Sequence, residues 1–246
     1  MSEGSAQPKT VSEGSAPPKT AAERVSEGAR DGTPGAAPAE RPYPALALLE
    51  FESIAVGIQA ADRMVKRAPI ALLKAGTVHP GHYLVLVAGS VASTEEAYGE
   101  GLATGERALI DAVLLPDVHP QVYGGCLGAR RKLEREALGV LETRCVASLL
   151  RAADAAVKGT PVAIVEIRLA DDLGGRAFVL FDGEIADVEA ALEIGSGRIA
   201  PEHLITCTIM PRLDAAVRAA IEEGTRFAPC TLLQPEGVEA AESLGI

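Results

Sequence analysis

The chain has 246 residues with a formal net charge of -11, 48% hydrophobic residues, 3% aromatics and no Trp. That length admits two ordinary domains whose cores must be thin, closely approached layers of Ala, Val, Leu and Ile. An acidic balance without clustered Lys and Arg interleaved with aromatics excludes a nucleic-acid surface, and no apolar run approaches the roughly 20 residues needed to span a membrane.

Residues 1–43 are a different material from the rest. SEGSAQPKT at Ser2 returns as SEGSAPPKT at Ser12 in a stretch of Ser, Gly, Ala, Pro and Glu with little to bury, which predicts a disordered extension. It shows no basic-then-apolar leader pattern, so the expected location is cytoplasmic. From Ala45 the texture changes. ALALLEF predicts a strand, and Ile54, Ile58, Ala61, Val65 and Ala68 recur at the spacing of an amphipathic helix that Pro69 stops. IALLK predicts a second strand, TVHPGH a loop and YLVLVAG a third strand. SVASTEEAYGEGLATG then predicts a helix opened by Ser93 or Thr94, and LIDAVLLP a closing strand. The same order follows in LGVLET, VASLLRAADAAVK, PVAIVEIRL, the loop ADDLGG, RAFVLFDG, IADVEAALEIG and HLITCTIMP, with a further short helix in LDAAVRAAIEEG.

The two series are one series written twice. Ala47 to Lys74 lies over Gly139 to Glu166 without a gap, matching Glu50/Glu142, Ala61-Asp62/Ala153-Asp154, Val65-Lys66/Val157-Lys158 and Pro69/Pro161. Two residues later in register, Gly81 to Ala97 lies over Gly175 to Ala191. The expected organisation is a first domain at 44–128, a solvated linker at 129–137 containing Arg130-Arg131-Lys132, a second domain at 138–224 and a loosely held tail at 225–246. The order β-α-β-β-α-β predicts a ferredoxin-like α+β unit in each copy, an antiparallel sheet with helices on one face. Cys126, Cys145, Cys207 and Cys230 are far apart without C-x2-C pairing and read as free thiols. No P-loop, nucleophile motif or dinucleotide fingerprint is present, so catalysis is not expected.

Several segments together resemble bacterial microcompartment shell proteins. They are the helix ends AADRMVKRAP at Ala60 and AADAAVKGTP at Ala152, and the pattern G-x-[VI]-x-x-x-E-x-A starting at Gly89 and Gly183. The terminal PDVHP at Pro116 and PRLD at Pro211 complete the set. The order of elements is similar to the non-permuted, tandem-domain, trimer-forming class. The resemblance implies a pseudohexameric homotrimer, a structural tile in a shell shared with hexameric tiles and pentameric vertices, and a central pore passing small metabolites or cofactors.

It also implies residue roles. The pore would be lined by His79, Pro80 and Gly81 of the first loop and by Asp171, Asp172, Leu173, Gly174 and Gly175 of the second, with His82 and Arg176 at its mouth. Lys66, Lys158 and Arg212 would contact neighbouring tiles, Asp117 standing where Arg212 stands in the other copy. His79 occupies the place of a loop cysteine that ligates an iron-sulfur cluster in a related protein. Three imidazoles on one axis suit a divalent metal, and a metal-free pore wall is the alternative. The carboxylates would favour cations or neutral solutes, although Asp and Gly are also what a tight turn requires. No other cofactor is implied. A free trimeric ligand-binding regulator of the same fold would need none of the edge lysines.

Overall fold

A computed structural model describes residues 43–231 and 233 of the chain. The first copy comprises β1 (Ala45–Phe51), α1 (Ile54–Arg67), β2 (Leu72–Val78), β3 (His82–Gly89), α2 (Val91–Gly105), β4 (Leu109–Leu115) and α3 (Pro120–Cys126). The second comprises β5 (Ala137–Thr143), α4 (Val146–Gly159), β6 (Ala163–Leu169), β7 (Ala177–Gly183), α5 (Ile185–Ser196), β8 (Leu204–Met210) and α6 (Ala215–Glu223). The sheets run β2-β3-β1-β4 and β6-β7-β5-β8, antiparallel throughout, the order of the ferredoxin-like unit. Register makes the repeat geometric: Glu50 stands between Leu84 and Asp111, as Glu142 stands between Phe178 and Thr206. Among the described residues no helix is long and apolar enough to cross a membrane.

Local chemistry sets the helix ends. Ser53 caps α1 by accepting from the Val56 N–H, and Lys66 and Arg67 sit in its last turn, where cations suit the dipole. The second helix starts earlier than Ser93 or Thr94: Ser90 is its cap and accepts from the Ser93 N–H, because β3 runs straight into it at Gly89. The short α3 was not anticipated from sequence. His119 caps it and Pro120 occupies its first turn, where a missing N–H costs nothing.

The two faces of the first sheet have different partners. Ala47, Leu49 and Phe51 pack on α1 and α2, whereas Leu46, Leu48 and Leu86 join a core with α4 of the other copy. The approach of α2 is close: a Cβ on Gly105 would lie 2.1 Å from Cε1 of the buried Phe51. Helix α4 is therefore sandwiched, with Val146, Leu150 and Val157 all buried. Their equivalents on α1 are not. Gly57, Ala60, Ala61 and Met64 face the sheet, leaving Ile54 at 40%, Ile58 at 52% and Val65 at 45% exposure. Of the apolar stripe read from the sequence, Ala61 and Ala68 are buried while Ile54, Ile58 and Val65 face outward, because small residues permit the intimate contact and the large ones remain over.

The linker and the tail depart from expectation. Arg130 is half-buried and donates to the carbonyls of Ile221, Glu222 and Glu223, capping the C-terminus of α6, and pairs with Glu166 at 3.2 Å. Leu133 is in the core, covering the second sheet beside Leu138 and Leu180. The start of the tail is tied down through Thr225, which meets Arg168, and Thr231, which meets Glu223. Tyr43, the last residue of the expected extension, packs on the core. The rest of that extension and residues 234–246 lie outside the described residues.

Candidate functional site

The two hairpin loops of the repeat meet. In the first, Val78 pairs with His82 and the loop is only His79-Pro80-Gly81, all exposed; in the second, Leu169 pairs with Ala177 and the loop is longer. Gly81 (φ 113°), Gly174 (φ 61°) and Gly175 (φ 85°) hold the left-handed conformations these turns require, and Ala170 (φ 52°) and Asp172 (φ 62°) adopt it as well. A Cβ on Gly175 would lie 3.1 Å from Pro80 Cδ and 3.6 Å from the His79 carbonyl oxygen, so glycine permits the loops to touch. His79, Asp171 and Asp172 consequently bring one ligand atom each within 4.8 Å of one another.

The charge at this end differs from what two exposed carboxylates suggest. Asp172 forms an ion pair with Arg226 from beyond α6, leaving Asp171 as the loop carboxylate without an ion pair among the described residues. Leu173 is half-buried, its N–H donating to the Ala170 carbonyl, while Gly174 is exposed. His82, the first residue of β3, and its counterpart Arg176, just before β7, each face a glutamate: His82 Nδ1 lies 3.1 Å from Glu50 Oε1, and Arg176 lies 3.5 Å from Glu142. The set chosen from sequence is thus gathered at one end of the seam between the copies.

Lys66, Lys158 and Arg212 lie elsewhere. Lys66 Nζ holds Asp62 Oδ2 at 2.6 Å in an exposed i,i+4 pair, and Arg212 is exposed beyond β8. Lys158 repeats the pair with Asp154 at 2.6 Å and also donates to the Asp117 carbonyl, while Asp154 accepts from the His119 N–H at 2.7 Å. Lys158 therefore bonds across the seam within the chain, a role sequence reasoning did not give it.

A second polar group lies inside that seam. Glu50 is fully buried on β1 and its Oε2 accepts the Val146 N–H at the start of α4 at 2.9 Å. Burial raises its pKa above the ordinary carboxylate value, and the hydrogen bonds from Val146 and His82 pull partly back. Beside it, Ser148 donates to Asp111 Oδ2 at 2.5 Å and lies 3.0 Å from His203 Nδ1. The Cys145 thiol completes the cluster, and burial pushes its pKa up to about 12. This is no hydrolytic triad: the serine hydroxyl donates its hydrogen bond to the aspartate and not to the imidazole, and the serine is 1% exposed. Sequence reasoning missed the group. Only Glu50, a carboxylate inside an apolar strand in both copies, was a visible signal; its neighbours come from different copies.

As expected from His79, the loop does not suit the iron-sulfur cluster that a loop cysteine ligates in the related protein. A cluster needs thiolates, His79 stands at the relevant place, and none of the four cysteines is in either loop.

The BMC domain matches twice, at residues 45–118 and 137–213. The chain is 32% identical over 181 residues to the bacterial microcompartment shell protein PduT of Citrobacter freundii, covering 73% of this chain and 98% of that one. It is 27% identical over 186 residues to the carboxysome assembly protein CcmO of Synechocystis, covering 69% of this chain and 61% of that one. Among solved structures, a microcompartment protein from Desulfitobacterium hafniense superimposes with a TM-score of 0.63 at 36% identity over 72% of this chain and 99% of that one. With two BMC domains in tandem, the chain belongs to the BMC-domain family and is a structural, non-enzymatic shell protein of a bacterial microcompartment.

Proposed function

We propose that three copies of this chain close into a pseudohexagonal tile with a central pore. The observation that carries the reading is an unpartnered pair of surfaces equivalent to the seam inside the chain. Helix α4 buries Val146, Leu150 and Val157 against β1 and β4 of the first sheet. Its equivalent, α1, leaves Ile54, Ile58 and Val65 exposed, and Thr206 and Thr208 on β8 are exposed where the first copy has half-buried Asp111 and buried Val113. Applying the seam between chains places α1 of one on β5 and β8 of the next, a head-to-tail contact that closes a ring after three chains and six domains. Sedimentation equilibrium of the purified protein tests it: a mass of three chains is expected, and a stable monomer would refute it.

In that ring His79, Pro80, Gly81, Asp171, Asp172, Leu173, Gly174 and Gly175 of each chain line the axis, because the two loops already touch within one chain. Asp171 then makes a ring of three carboxylates, while Arg226 offsets Asp172. At physiological salt the roughly 8 Å screening length is comparable to a small pore, so the ring disfavours anionic solutes and passes cations and neutral metabolites. Asp171→Asn should raise anion flux through assembled shells. Lys66, Lys158 and Arg212 on the rim meet neighbouring tiles, hexameric ones and pentameric vertices among them.

A second reading rests on the grouping of His79 with Asp171 and Asp172. One nitrogen and two oxygens suit a divalent cation held at the pore. Elemental analysis that finds metal lost on His79→Ala and kept on His82→Ala would favour it; a pore empty after incubation with zinc would leave His79 as lining.

A further inference from the structure

We propose that Asp111, Cys145 and His203 form a divalent transition-metal site, of the zinc type, in the seam between the two domains. This lies beyond the tile-and-pore reading and does not depend on it. The three come from three elements: Asp111 from β4 of the first domain, Cys145 from the cap position of α4, and His203 from the turn before β8. Their ligand atoms lie within 4.8 Å of one another, and His203 Nδ1 is 3.7 Å from Asp111 Oδ2. Bonds of about 2.0 to 2.3 Å in a tetrahedral site put ligand atoms roughly 3.3 to 3.7 Å apart. Aspartate and histidine are therefore already at ligand spacing, and the thiol has at most about 1 Å to travel.

The surroundings orient the set. The Ala112 N–H donates to Asp111 Oδ1 at 2.8 Å and Arg151 lies 3.8 Å from the same oxygen, which turns Oδ2 toward histidine and cysteine. The Cys145 residue is 4% exposed and its thiol makes no hydrogen bond among the described residues. A polar group so buried and unpaired, directed at a carboxylate and an imidazole, is what a ligand looks like without its ion. Sulfur, nitrogen and oxygen in one set fit zinc and its borderline neighbours, and fit neither magnesium and calcium, which want oxygens, nor a cluster, which wants thiolates. Binding exchanges one proton for one cation. The thiol releases its proton to solvent, His203 moves its hydrogen from Nδ1, where it faces the Ser148 oxygen, to Nε2 and so offers the Nδ1 lone pair, and the Ser148 hydroxyl, now between Asp111 and His203, moves aside or leaves the fourth position to water.

The repeat supplies an internal control. Equivalent backbone bonds, Glu52 N to the Ala108 carbonyl and Arg144 N to the His203 carbonyl, make Ala108 the counterpart of His203. Ser53 and Thr206 are the counterparts of Cys145 and Asp111, and Val56 that of Ser148. The same scaffold thus carries no such ligand set at the equivalent positions on α1 and β8, and a metal would fasten the seam inside the chain alone.

The test uses the full chain, stripped with a chelator and titrated anaerobically with cobalt(II). About one cobalt per chain with a thiolate-to-cobalt charge-transfer band is expected, kept in Cys207→Ser and His79→Ala, lost in Cys145→Ser and weakened at least about tenfold in His203→Ala. Zinc should raise the Tm of the stripped wild-type chain. Should Cys145→Ser fail to fold, X-ray absorption of the zinc-loaded wild type decides, one sulfur at about 2.3 Å being expected. Absence of the band together with an unchanged Tm in excess zinc overturns the proposal, as does a zinc shell without sulfur. A band lost in Cys207→Ser and kept in Cys145→Ser overturns it too. A wild type that binds cobalt while failing to trimerise would refute the tile reading and leave this site standing.

Discussion

Replacing Ile58 by Asp should dissociate the proposed trimer without unfolding the chain. Ile58 is 52% exposed in the single chain, and its equivalent Leu150 is fully buried against the first sheet. Full burial of an isoleucine contributes about 1.5 to 3 kcal/mol, so the half still exposed is worth about 1 kcal/mol per interface. A carboxylate in its place, pressed against the second sheet of the next chain, adds a desolvation cost of several kcal/mol. The change is about 4 kcal/mol for each of three contacts, nearly a thousandfold in each equilibrium constant. Velocity sedimentation across a dilution series should show wild type as trimer and the variant as monomer, with unchanged circular dichroism. Val91→Asp is the control: Val91 is 37% exposed, and its equivalent Ile185 remains 36% exposed in the copy whose helix face is covered, so this position should lie off the interface. An Ile58→Asp protein that stays trimeric at concentrations where wild type does would refute the assignment of α1 to the interface.

Gly105→Ala should lower stability by about 1 to 3 kcal/mol, read as a fall in Tm, because its Cβ would meet the fully buried Phe51 ring at 2.1 Å. Stability should fall as pH rises from about 4.3, the unfolded value, through the higher folded pKa of Glu50, since the folded chain holds that proton longer. Chemical denaturation at several pH values should show Glu50→Gln losing this part of the slope, and an identical slope in both proteins would assign it elsewhere. Lys66→Ala with Arg212→Ala should leave the trimer intact and suppress sheets in electron microscopy; each exposed contact contributes only about 0 to 1 kcal/mol, but a lattice repeats it. Removing residues 1–42 should leave both folding and trimer mass unchanged, as measured by circular dichroism and sedimentation.

Periodicity and internal similarity were enough for the two α+β units, since strand alternation and the paired Glu50/Glu142, Lys66/Lys158 and Pro69/Pro161 are local properties of a chain. The Pro-Gly and Gly-Gly punctuation likewise placed both hairpin loops. The tertiary structure decided which side of a helix is inside. Gly57, Ala60 and Met64 take the intimate contact and leave Ile54, Ile58 and Val65 outward, a choice set by how closely a helix approaches its sheet rather than by hydrophobicity. It also decided that Arg130, in a basic run that reads as solvated linker, caps α6, and that Arg226 offsets Asp172. The cluster of Glu50, Asp111, Cys145, Ser148 and His203 was illegible for the same reason. Each residue is ordinary in its own segment, and the group exists only because the start of α4 is laid on the sheet of the other copy, a contact between residues far apart in sequence that no local pattern encodes.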